Sequence, residues 1–309
     1  MRMLVVGAGA TGGYFGGRLA QAGRDVTFLV RPARAAQLAD RGLEILSPDG
    51  NSVVRPAIVT AAELKQTYDA VLVTVKAFAL DAAMDDFAPA VGEETAILPV
   101  LNGMKHMDAL VARFGGHTVA GCACKIAAQV DREGRIVQLA PLPKDTAYGE
   151  MDGRATPRMR ALDAFMQGAG FSASLSPTIA REMWEKWILL AALGGITSLM
   201  RGTIGEIVAA SGGAAFIAAF LDEVVSVVNA VGVAPSKPFL DMAKATLTAK
   251  GSSMTSSMYR DLQAGNRIEA DQIVGDLLAR GHKAGLALPL IATAYAHLSV
   301  YQARAQTKV

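Results

Sequence analysis

A glycine-rich stretch near the N-terminus constrains the fold more than any other part of the chain. The apolar residues 3–6 lead directly into glycines at positions 7, 9 and 12, and a helix-compatible segment follows over residues 14–22. In a strand–turn–helix unit, the first glycine permits a tight turn, the second lets the backbone approach a pyrophosphate and the third lets the helix pack closely on the strand. Unpaired N–H groups at the start of the helix then face the phosphates.

This glycine spacing is a weak signal by itself, because the chain contains 31 glycines. Its position after a strand and before a helix is the context that the motif requires, so we predict a dinucleotide-binding loop. A purely structural glycine turn is the alternative. The residues predicted to contact the cofactor here are Gly7, Ala8, Gly9, Ala10, Thr11 and Gly12.

Strands alternate with helices through the first part of the chain, which predicts a parallel sheet, whereas helical patterns alone follow residue 178. We therefore predict an α/β fold, with an N-terminal Rossmann doubly wound parallel sheet over residues 1–175 and an all-α C-terminal domain over residues 176–309. The predicted strands are residues 3–6, 26–30, 43–46, 51–58, 70–75, 96–100, 119–130, 135–139, 146–149 and 171–175. The predicted helices are residues 14–22, 33–40, 80–90, 156–168, 179–200, 203–210, 213–231, 236–249, 255–263, 267–284 and 289–303. Turns are predicted at residues 47–50, 131–134 and 141–144.

Composition and charge exclude several classes of protein. The 309 residues carry a net charge of +2 and are 51% apolar, so neither nucleic acid nor a membrane surface is an expected partner. The uncharged residues 187–200 are too few to span a bilayer. No basic, apolar leader precedes the first strand, so we expect a cytoplasmic location. Cys122 and Cys124 lie two apart in a predicted strand, where neither a disulfide nor a metal site is expected.

The end of the second predicted strand decides between the two nicotinamide dinucleotides. An NAD site usually has Asp or Glu there, but this chain has no carboxylate and two arginines, Arg31 and Arg34. A guanidinium binds a 2′-phosphate through paired, charge-assisted hydrogen bonds, so the sequence favours NADP(H). Arg31 lies nearest the strand end and is the expected contact. The alternative is that both arginines are solvated at the start of a helix.

Two further polar positions follow strands that are predicted to be buried. Lys76 comes just after one of them, and Asn102 and Gly103 come just after the next. Open parallel sheets bind ligands beyond the carboxyl ends of their strands, so both positions are candidates for a binding site. A solvated charge and an Asn-Gly turn are the respective alternatives.

The helical half contains its own candidate residues. Lys186 is the last charge before the uncharged run and shares a helical face with residues 190 and 194, at the edge of an apolar surface. A lysine in such a place can deliver a proton near neutral pH. The alternative is a surface ion pair with Glu182. Farther along, Ser257 is placed to cap a helix together with Ser256, and Glu269 is placed at the start of another helix.

These segments together resemble the ketopantoate reductase (2-dehydropantoate 2-reductase) family over essentially the whole chain. No single motif is specific, but their order and spacing are. The segments that carry the resemblance are GAGATGG (7–13), Arg31, VTVKAF (73–78), LNGM (101–104), AREMWEKW (180–187) and SSMYRDL with NRIEAD (256–271). The resemblance implies a substrate cleft between the two domains and NADPH-dependent reduction of a 2-oxo acid to a 2-hydroxy acid. Its leading substrate is ketopantoate, which yields pantoate for pantothenate biosynthesis.

The resemblance also implies a role for each candidate residue. Lys186 would be the general acid, and Glu269 would orient it or bind a substrate hydroxyl. Ser257 would bind the carboxylate or hydroxyl end of the substrate. Asn102 would contact both cofactor and substrate, and Lys76 would line the cofactor side of the same cleft. No metal is implied, and the apolar residues 214–233 are a candidate face for a homodimer.

The sequence departs from the family on the predicted substrate side. The family usually has asparagines four and eight residues after the lysine and three before the serine, but this chain has Leu190, Gly194 and Met254. Each replacement removes hydrogen-bonding groups, which shifts discrimination between substrates. Two alternatives therefore stay open: a reductase of the same superfamily that acts on a less polar oxo acid, and a non-catalytic NADP-binding sensor. Leu190 also counts against a β-hydroxyacid dehydrogenase, which usually keeps the first asparagine.

Overall fold

The computed structural model describes residues 1–139 and 144–306 and divides into two units. Met1–Leu101 and His106–Ala180 form the first unit, and Arg181–Val309 forms the second together with the short segment Asn102–Lys105. The segment that contains Asn102 therefore packs with the helices of the second unit. The predicted division at residue 175 into a nucleotide-binding and a catalytic domain stays a prediction.

Twelve strands and five helices are described in the first unit. The strands are β1 (Arg2–Val6), β2 (Asp25–Leu29), β3 (Leu43–Leu46), β4 (Ser52–Val54), β5 (Ala57–Val59), β6 (Ala70–Val73), β7 (Ala96–Pro99), β8 (Gly121–Lys125), β9 (Ala128–Val130), β10 (Ile136–Gln138), β11 (Asp145–Gly149) and β12 (Ser172–Leu175). The helices are α1 (Ala10–Gln21), α2 (Pro32–Arg41), α3 (Leu80–Phe87), α4 (Lys105–Phe114) and α5 (Pro157–Met166), with 3-10 turns at Ala77–Ala79 and Ala88–Ala90.

A five-stranded parallel sheet in the order β5-β2-β1-β6-β7 forms the centre of the first unit. Met3 in β1 pairs with Val26 on one side and Ala70 on the other. All four residues of β6 are buried, as expected for a strand that is covered on both faces. The predicted parallel sheet is thereby confirmed, and the carboxyl ends of β1 and β6 lie side by side at one edge.

Two predicted strands are wrong because each one divides between two sheets. Residues 51–58 break at Arg55-Pro56, so that β4 pairs antiparallel with β3 while β5 joins the parallel sheet. Residues 119–130 break at Ile126, and β8 and β9 join different small sheets, ordered β12-β11-β8 and β4-β3-β10-β9. Helix α4 was not predicted. Of the predicted turn at 141–144, residues 141–143 lie outside the described residues.

Helices make up the described secondary structure from residue 179 onward, which confirms the predicted all-α half. They are α6 (Ile179–Met200), α7 (Ile204–Ala209), α8 (Gly213–Val231), α9 (Lys237–Leu247), α10 (Ser257–Gln263), α11 (Asp276–Lys283) and α12 (Pro289–Gln306), and a π-helical stretch, Asp271–Gly275, precedes α11. The predicted helical start at residue 267 is wrong, because residues 266–269 are not helical.

The core of the second unit forms around α6, whose residues 191–198 are all buried. A methyl group on Gly195 would lie 2.3–2.9 Å from ring carbons of Phe220 in α8, and one on Gly232 would meet the Trp184 indole. Small residues at these two points therefore let α8 and the turn that follows it approach α6 closely.

One helix in the described ranges, α8, is long and apolar enough to cross a membrane by length and composition, and about a third of its apolar stretch is buried. This is weak evidence, because core helices of water-soluble proteins pass the same test. The expectation that no membrane is involved stays a prediction.

Candidate active site

The glycine-rich loop joins β1 to α1, and each of its three glycines has different surroundings. Gly7 has a φ of +97°, a conformation that side chains disfavour. A methyl group on Gly12 would collide with Thr74 Oγ1 and with the carbonyl oxygen of Gly7. A methyl group on Gly9 would meet no protein atom within 4 Å. The space beside Gly9 is therefore open to a ligand, whereas the space beside Gly12 is filled by the protein.

The structure brings an unpredicted residue, Thr74, to this loop. Thr74 follows β6, and its hydroxyl donates to the carbonyl oxygen of Val6 at 2.8 Å and lies 3.0 Å from that of Gly7. These bonds fix the end of β6 to the turn after β1. Behind the turn, Ala10 and Thr11 begin α1, where the first N–H groups of a helix have no intrahelical partner. The loop can thus present N–H donors to a pyrophosphate.

The two arginines near the end of β2 occupy different positions. Arg31 is exposed at the residue before α2. Arg34 is half-buried, and its Nη2 donates to the carbonyl oxygen of Ala8 at 3.2 Å while its Nη1 donates to Gln37 at 2.5 Å. Burial lowers the pKa of the Arg34 guanidinium, which still remains charged at neutral pH. Arg34 therefore supports the glycine-rich loop directly, and Arg31 is the more accessible cation.

Lys76 lies three residues beyond the end of β6, at the residue before the 3-10 turn Ala77–Ala79. Its backbone is extended, and its carbonyl oxygen accepts from the amide of Ala79 at 2.9 Å. The side chain is exposed. Lys76 thus lies beyond the carboxyl end of a central strand, as the sequence predicted.

Asn102 and Gly103 lie against the π-helical stretch of the second unit. Gln272 Nε2 donates to the carbonyl oxygen of Asn102 at 2.9 Å. Gly103 has a φ of +83°, and a methyl group there would lie 2.6 Å from the carbonyl oxygen of Gln272. Only glycine suits this position, because it combines a left-handed backbone with a close approach. Asn102 is half-buried, and the bond from Gln272 holds its backbone to the helical unit.

Helix α6 contacts the same π-helical stretch from another side. The Trp187 indole Nε1 donates to the carbonyl oxygen of Ile273 at 2.9 Å, and the Arg280 guanidinium lies 5.8 Å from the centre of the Trp187 ring. Trp187 is 1% exposed, so the bond is protected from water. Lys186, the adjacent residue, is half-buried. This part of α6 is therefore fixed against the segment that begins at Glu269.

The Lys186 ammonium has no hydrogen bond or ion pair within residues 1–139 and 144–306. The alternative surface pair with Glu182 is therefore not formed. Glu269 is half-buried and precedes the π-helical stretch, and its carbonyl oxygen accepts from the amide of Ile273 at 3.0 Å. The bond between Trp187 and Ile273 thus connects the segment of Lys186 with that of Glu269. The bond from Gln272 connects the segment of Asn102 with the same π-helical stretch. In this way the structure brings three of the predicted residues to one region.

Ser257 begins α10 and is exposed. Ser256 supplies the cap by accepting from the amide of Tyr259 at 2.9 Å, so the Ser257 hydroxyl is not needed for capping. Ser256 Oγ also lies 3.1 Å from the Thr197 hydroxyl of α6. The start of α10 is therefore attached to α6, about three turns beyond Lys186. Among the described residues, no group of three or more His, Cys, Asp or Glu side chains is placed to hold a metal ion.

Trp187, Gln272 and Thr74 were not predicted as site residues. A buried tryptophan in a helix and a threonine just after an apolar strand are ordinary residues in such places, so neither carries a local signal. Only contacts between distant parts of the chain show their role.

Comparisons with known proteins cover both units. The family model described as ketopantoate reductase PanE/ApbA matches residues 3–153, and its C-terminal counterpart matches residues 178–302. YkpB of Bacillus subtilis, an uncharacterized oxidoreductase, is 37% identical over 98% of this chain and 99% of its own length. A 2-dehydropantoate 2-reductase of Halobacterium salinarum is 27% identical over 95% of this chain and 96% of its own length.

A solved structure is similar over the same extent. The crystal structure of 2-dehydropantoate 2-reductase from Geobacter metallireducens covers 97% of this chain and 99% of its own, with a TM-score of 0.85 and 28% identity. These findings confirm the resemblance that the sequence motifs indicated. The chain therefore belongs to the ketopantoate reductase family and is an oxidoreductase.

Proposed function

We propose that this protein reduces a 2-oxo acid to a 2-hydroxy acid with NADPH. The observation that carries the proposal is the half-buried Lys186 ammonium, which no side chain in the described parts of the chain engages. The Trp187–Ile273 and Gln272–Asn102 hydrogen bonds hold the segments of Glu269 and Asn102 in the same region. Groups that can donate and orient a proton are thereby held in one unit.

In this proposal, each residue acts on a different part of the substrate. NADPH, held by the glycine-rich loop, would supply the hydride for the carbonyl carbon. Negative charge then develops on the ketone oxygen, and Lys186 stabilises it and donates a proton to it. Glu269 orients the ammonium or accepts a bond from a substrate hydroxyl. The exposed Ser257 hydroxyl and the Asn102 amide bind the remaining polar groups of the substrate.

The geometry of the glycine-rich loop supports the proposal that a dinucleotide binds there. Gly9 borders open space, and the first N–H groups of α1 lie behind it. The preference for NADPH over NADH rests on Arg31 and Arg34, since β2 ends without a carboxylate. Arg31 is accessible to a 2′-phosphate, and Arg34 stabilises the loop through its hydrogen bond to the carbonyl oxygen of Ala8. Lys76 and Asn102 complete the proposed cofactor side.

Ketopantoate is the first substrate to test, because relatives named 2-dehydropantoate 2-reductase align over nearly the whole chain. A second candidate is a less polar 2-oxo acid, which Leu190, Gly194 and Met254 favour over a hydroxylated one. Participation in pantothenate biosynthesis, a cytoplasmic location, a homodimer and the absence of nucleic-acid and membrane partners all stay predictions.

The test of the proposal follows NADPH absorbance with a panel of 2-oxo acids that includes ketopantoate. We expect turnover by the wild type and a fall in kcat of about 10²–10⁴-fold in Lys186→Ala, the usual contribution of a general acid. Lys237→Ala is the matched control, because that side chain is 84% exposed and pairs with Asp241. If NADPH binds but no 2-oxo acid is reduced, the proposed reduction of a 2-oxo acid is wrong. Full activity in Lys186→Ala would show that the lysine is not the general acid.

A further inference from the structure

The segment that carries Glu269 has an irregular backbone. Residues 266–269 are not helical, a helix begins at Ala270, and the π-helical stretch Asp271–Gly275 follows directly. The first N–H groups of a helix have no partner within the helix, and π-helical turns are rare and frequent at functional sites. The position of the Glu269 backbone therefore depends on contacts from other elements.

Gln302 of α12 makes the contact nearest to Glu269. Its side-chain Oε1 accepts from the amide of Ala270 at 3.1 Å, and its Nε2 donates to Asp271 Oδ2 at 3.1 Å. Ala270 is fully buried and Gln302 is half-buried. One side chain therefore binds both the peptide group that joins Glu269 to Ala270 and the carboxylate that follows it.

Two tyrosines of the same helix bind the segment before and after this peptide group. The Tyr301 hydroxyl donates to the carbonyl oxygen of Asn266 at 2.8 Å, and the Tyr295 hydroxyl donates to Asp271 Oδ1 at 2.8 Å. A methyl group on Gly275 would lie 2.6 Å from the Tyr295 ring, so the ring packs directly on the π-helical stretch. Helix α12 thus contacts the segment at several points along its length.

The amide side chain of Gln302 suits both of its partners. The Ala270 N–H needs an acceptor and the Asp271 carboxylate needs a donor, and a glutamine amide provides both at once. A buried N–H group without a partner is costly, so the peptide group would move if Gln302 were lost. The carbonyl oxygen of the same peptide group belongs to Glu269. A change at Gln302 therefore displaces the backbone from which the Glu269 side chain extends.

The π-helical stretch is also attached to α6, independently of α12. The Trp187 indole donates to the carbonyl oxygen of Ile273 at 2.9 Å, and Lys186 is the residue before Trp187. Loss of the Gln302 contacts would leave this bond in place. The backbone of Glu269 would then shift while the Lys186 segment keeps its attachment.

We propose that Gln302 is a positioning residue of the reductase, which fixes the Glu269 carboxylate relative to Lys186 by binding the peptide group after Glu269. This inference rests on the proposed function, in which Glu269 orients the Lys186 ammonium or accepts a bond from a substrate hydroxyl. Gln302 acts only through Glu269, and this dependence is what an experiment can detect.

The test is a double-mutant cycle in the NADPH turnover assay, with ketopantoate or the best-reduced acid of the panel as substrate. Gln302→Met removes both hydrogen-bonding groups at similar volume and should lower kcat/KM about tenfold, since a displacement of about 1 Å at a reacting group costs up to 10²-fold. Its NADPH affinity should match that of the wild type. In the Glu269→Ala background, Gln302→Met should change kcat/KM by less than about twofold, because no carboxylate is left to position.

A second variant and a control accompany the cycle. Tyr295→Phe removes the hydroxyl that donates to Asp271 but keeps the ring beside Gly275, so it should cause a smaller loss that is also absent in Glu269→Ala. Thr293→Val should leave kcat/KM unchanged, because Thr293 is exposed on α12 and its hydroxyl donates to the carbonyl oxygen of Pro289. If Gln302→Met does not fold, as judged by urea denaturation, the cycle with Tyr295→Phe decides.

The outcomes separate this inference from the proposed function. Equal losses from Gln302→Met with and without Glu269 would show a merely structural role and overturn the inference, while the reductase activity stands. Full activity of Gln302→Met or of Glu269→Ala would overturn it as well. If the wild type binds NADPH but reduces no 2-oxo acid, the proposed function fails, and the inference fails with it.

Discussion

Gly9 and Gly12 lie three residues apart, yet a methyl group would meet protein at only one of them. At Gly12 it would collide with Thr74 and with the carbonyl oxygen of Gly7, whereas at Gly9 it would meet no protein atom. The φ of Gly9 is −83°, which alanine adopts freely. Gly12 is therefore required by the packing of the protein itself, whereas Gly9 is required only if a ligand approaches the loop.

We expect Gly9→Ala to leave the free energy of unfolding within about 0.5 kcal/mol of the wild type, since alanine fits there. It should weaken NADPH binding, because the methyl group occupies the space beside the loop. Gly12→Ala should lower both stability and affinity. Urea denaturation and NADPH fluorescence titration measure the two effects. Unchanged NADPH affinity in Gly9→Ala would show that the ligand does not approach this glycine.

The two arginines of the cofactor side have separable roles. Arg31 is exposed, so Arg31→Asp should weaken NADPH much more than NADH, because it removes a cation for the 2′-phosphate. Arg34→Met should weaken both cofactors, since it removes the bond to the Ala8 carbonyl. Arg41→Asp, at an exposed residue of the same helix, is the control. Equal effects of Arg31→Asp on both cofactors, measured by titration, would exclude a 2′-phosphate contact.

Among the elements of the first unit, β11, α5 and the loop before β7 are connected by one ion pair. Glu150 follows β11 and accepts from Arg158 Nε at 2.8 Å and Nη2 at 2.7 Å, and from the Thr156 hydroxyl at 2.7 Å. Arg158 Nη1 reaches the carbonyl oxygen of Thr95 at 3.4 Å. The two charged side chains are only 10% and 19% exposed. Burial raises the pKa of Glu150, but the bonds from Arg158 and Thr156 outweigh it, so the pKa lies below its ordinary value.

Glu150→Gln should therefore destabilise the protein by about 1–3 kcal/mol at pH 7, because Arg158 loses a charged partner in a protected place. A depressed carboxyl pKa adds stability above the unfolded-state value, and this stability is lost as the pH falls through the folded-state value. The difference between wild type and variant should thus be full at pH 7 and shrink below about pH 4.3. Urea denaturation across this range measures it. Asp241→Asn, at an exposed ion pair with Lys237, should have little effect, and a pH-independent difference for Glu150→Gln would contradict the argument.

What the sequence could predict depends on how far apart the interacting residues lie. The strand, turn and helix at residues 2–21 are specified by neighbouring residues, so the motif located the loop correctly. The division of residues 51–58 between two sheets depends on the partners of β4 and β5, which the local pattern does not reveal. Helix α4 was missed because its start follows an Asn-Gly pair that favours a turn.

The candidate site was predicted as a set of residues but not as an arrangement. Gln272 contacts Asn102 across 170 residues of sequence, and Trp187 contacts Ile273 across 86. No local pattern encodes either contact, because each depends on how α6 and the π-helical stretch pack. The departures at Leu190 and Gly194 were visible in the sequence. The structure adds that the terminal methyl group of Met258 occupies the space that a side chain at Gly194 would need.

At the scale of the whole molecule, the proposed function assigns cofactor binding and proton donation to different units. The glycine-rich loop and Arg31 belong to the first unit, and Lys186, Ser257 and Glu269 belong to the second. A ligand that binds only the folded state stabilises it by an amount that rises with the logarithm of the ligand concentration relative to its Kd. Thermal stabilisation by NADPH therefore reports on the binding function even in a variant that lacks activity.

We expect NADPH at 100 times its Kd to stabilise the wild type by about 2.7 kcal/mol. Lys186→Ala should keep this stabilisation while losing turnover, because the lysine acts on the substrate. Gly9→Ala should reduce both the thermal shift and the turnover at the same NADPH concentration, since it weakens cofactor binding. Thermal denaturation of the full chain with and without NADPH, in parallel with the turnover assay, measures both properties. If Lys186→Ala loses the thermal shift as well, the lysine contributes to cofactor binding, and its loss of activity is then no evidence for proton donation.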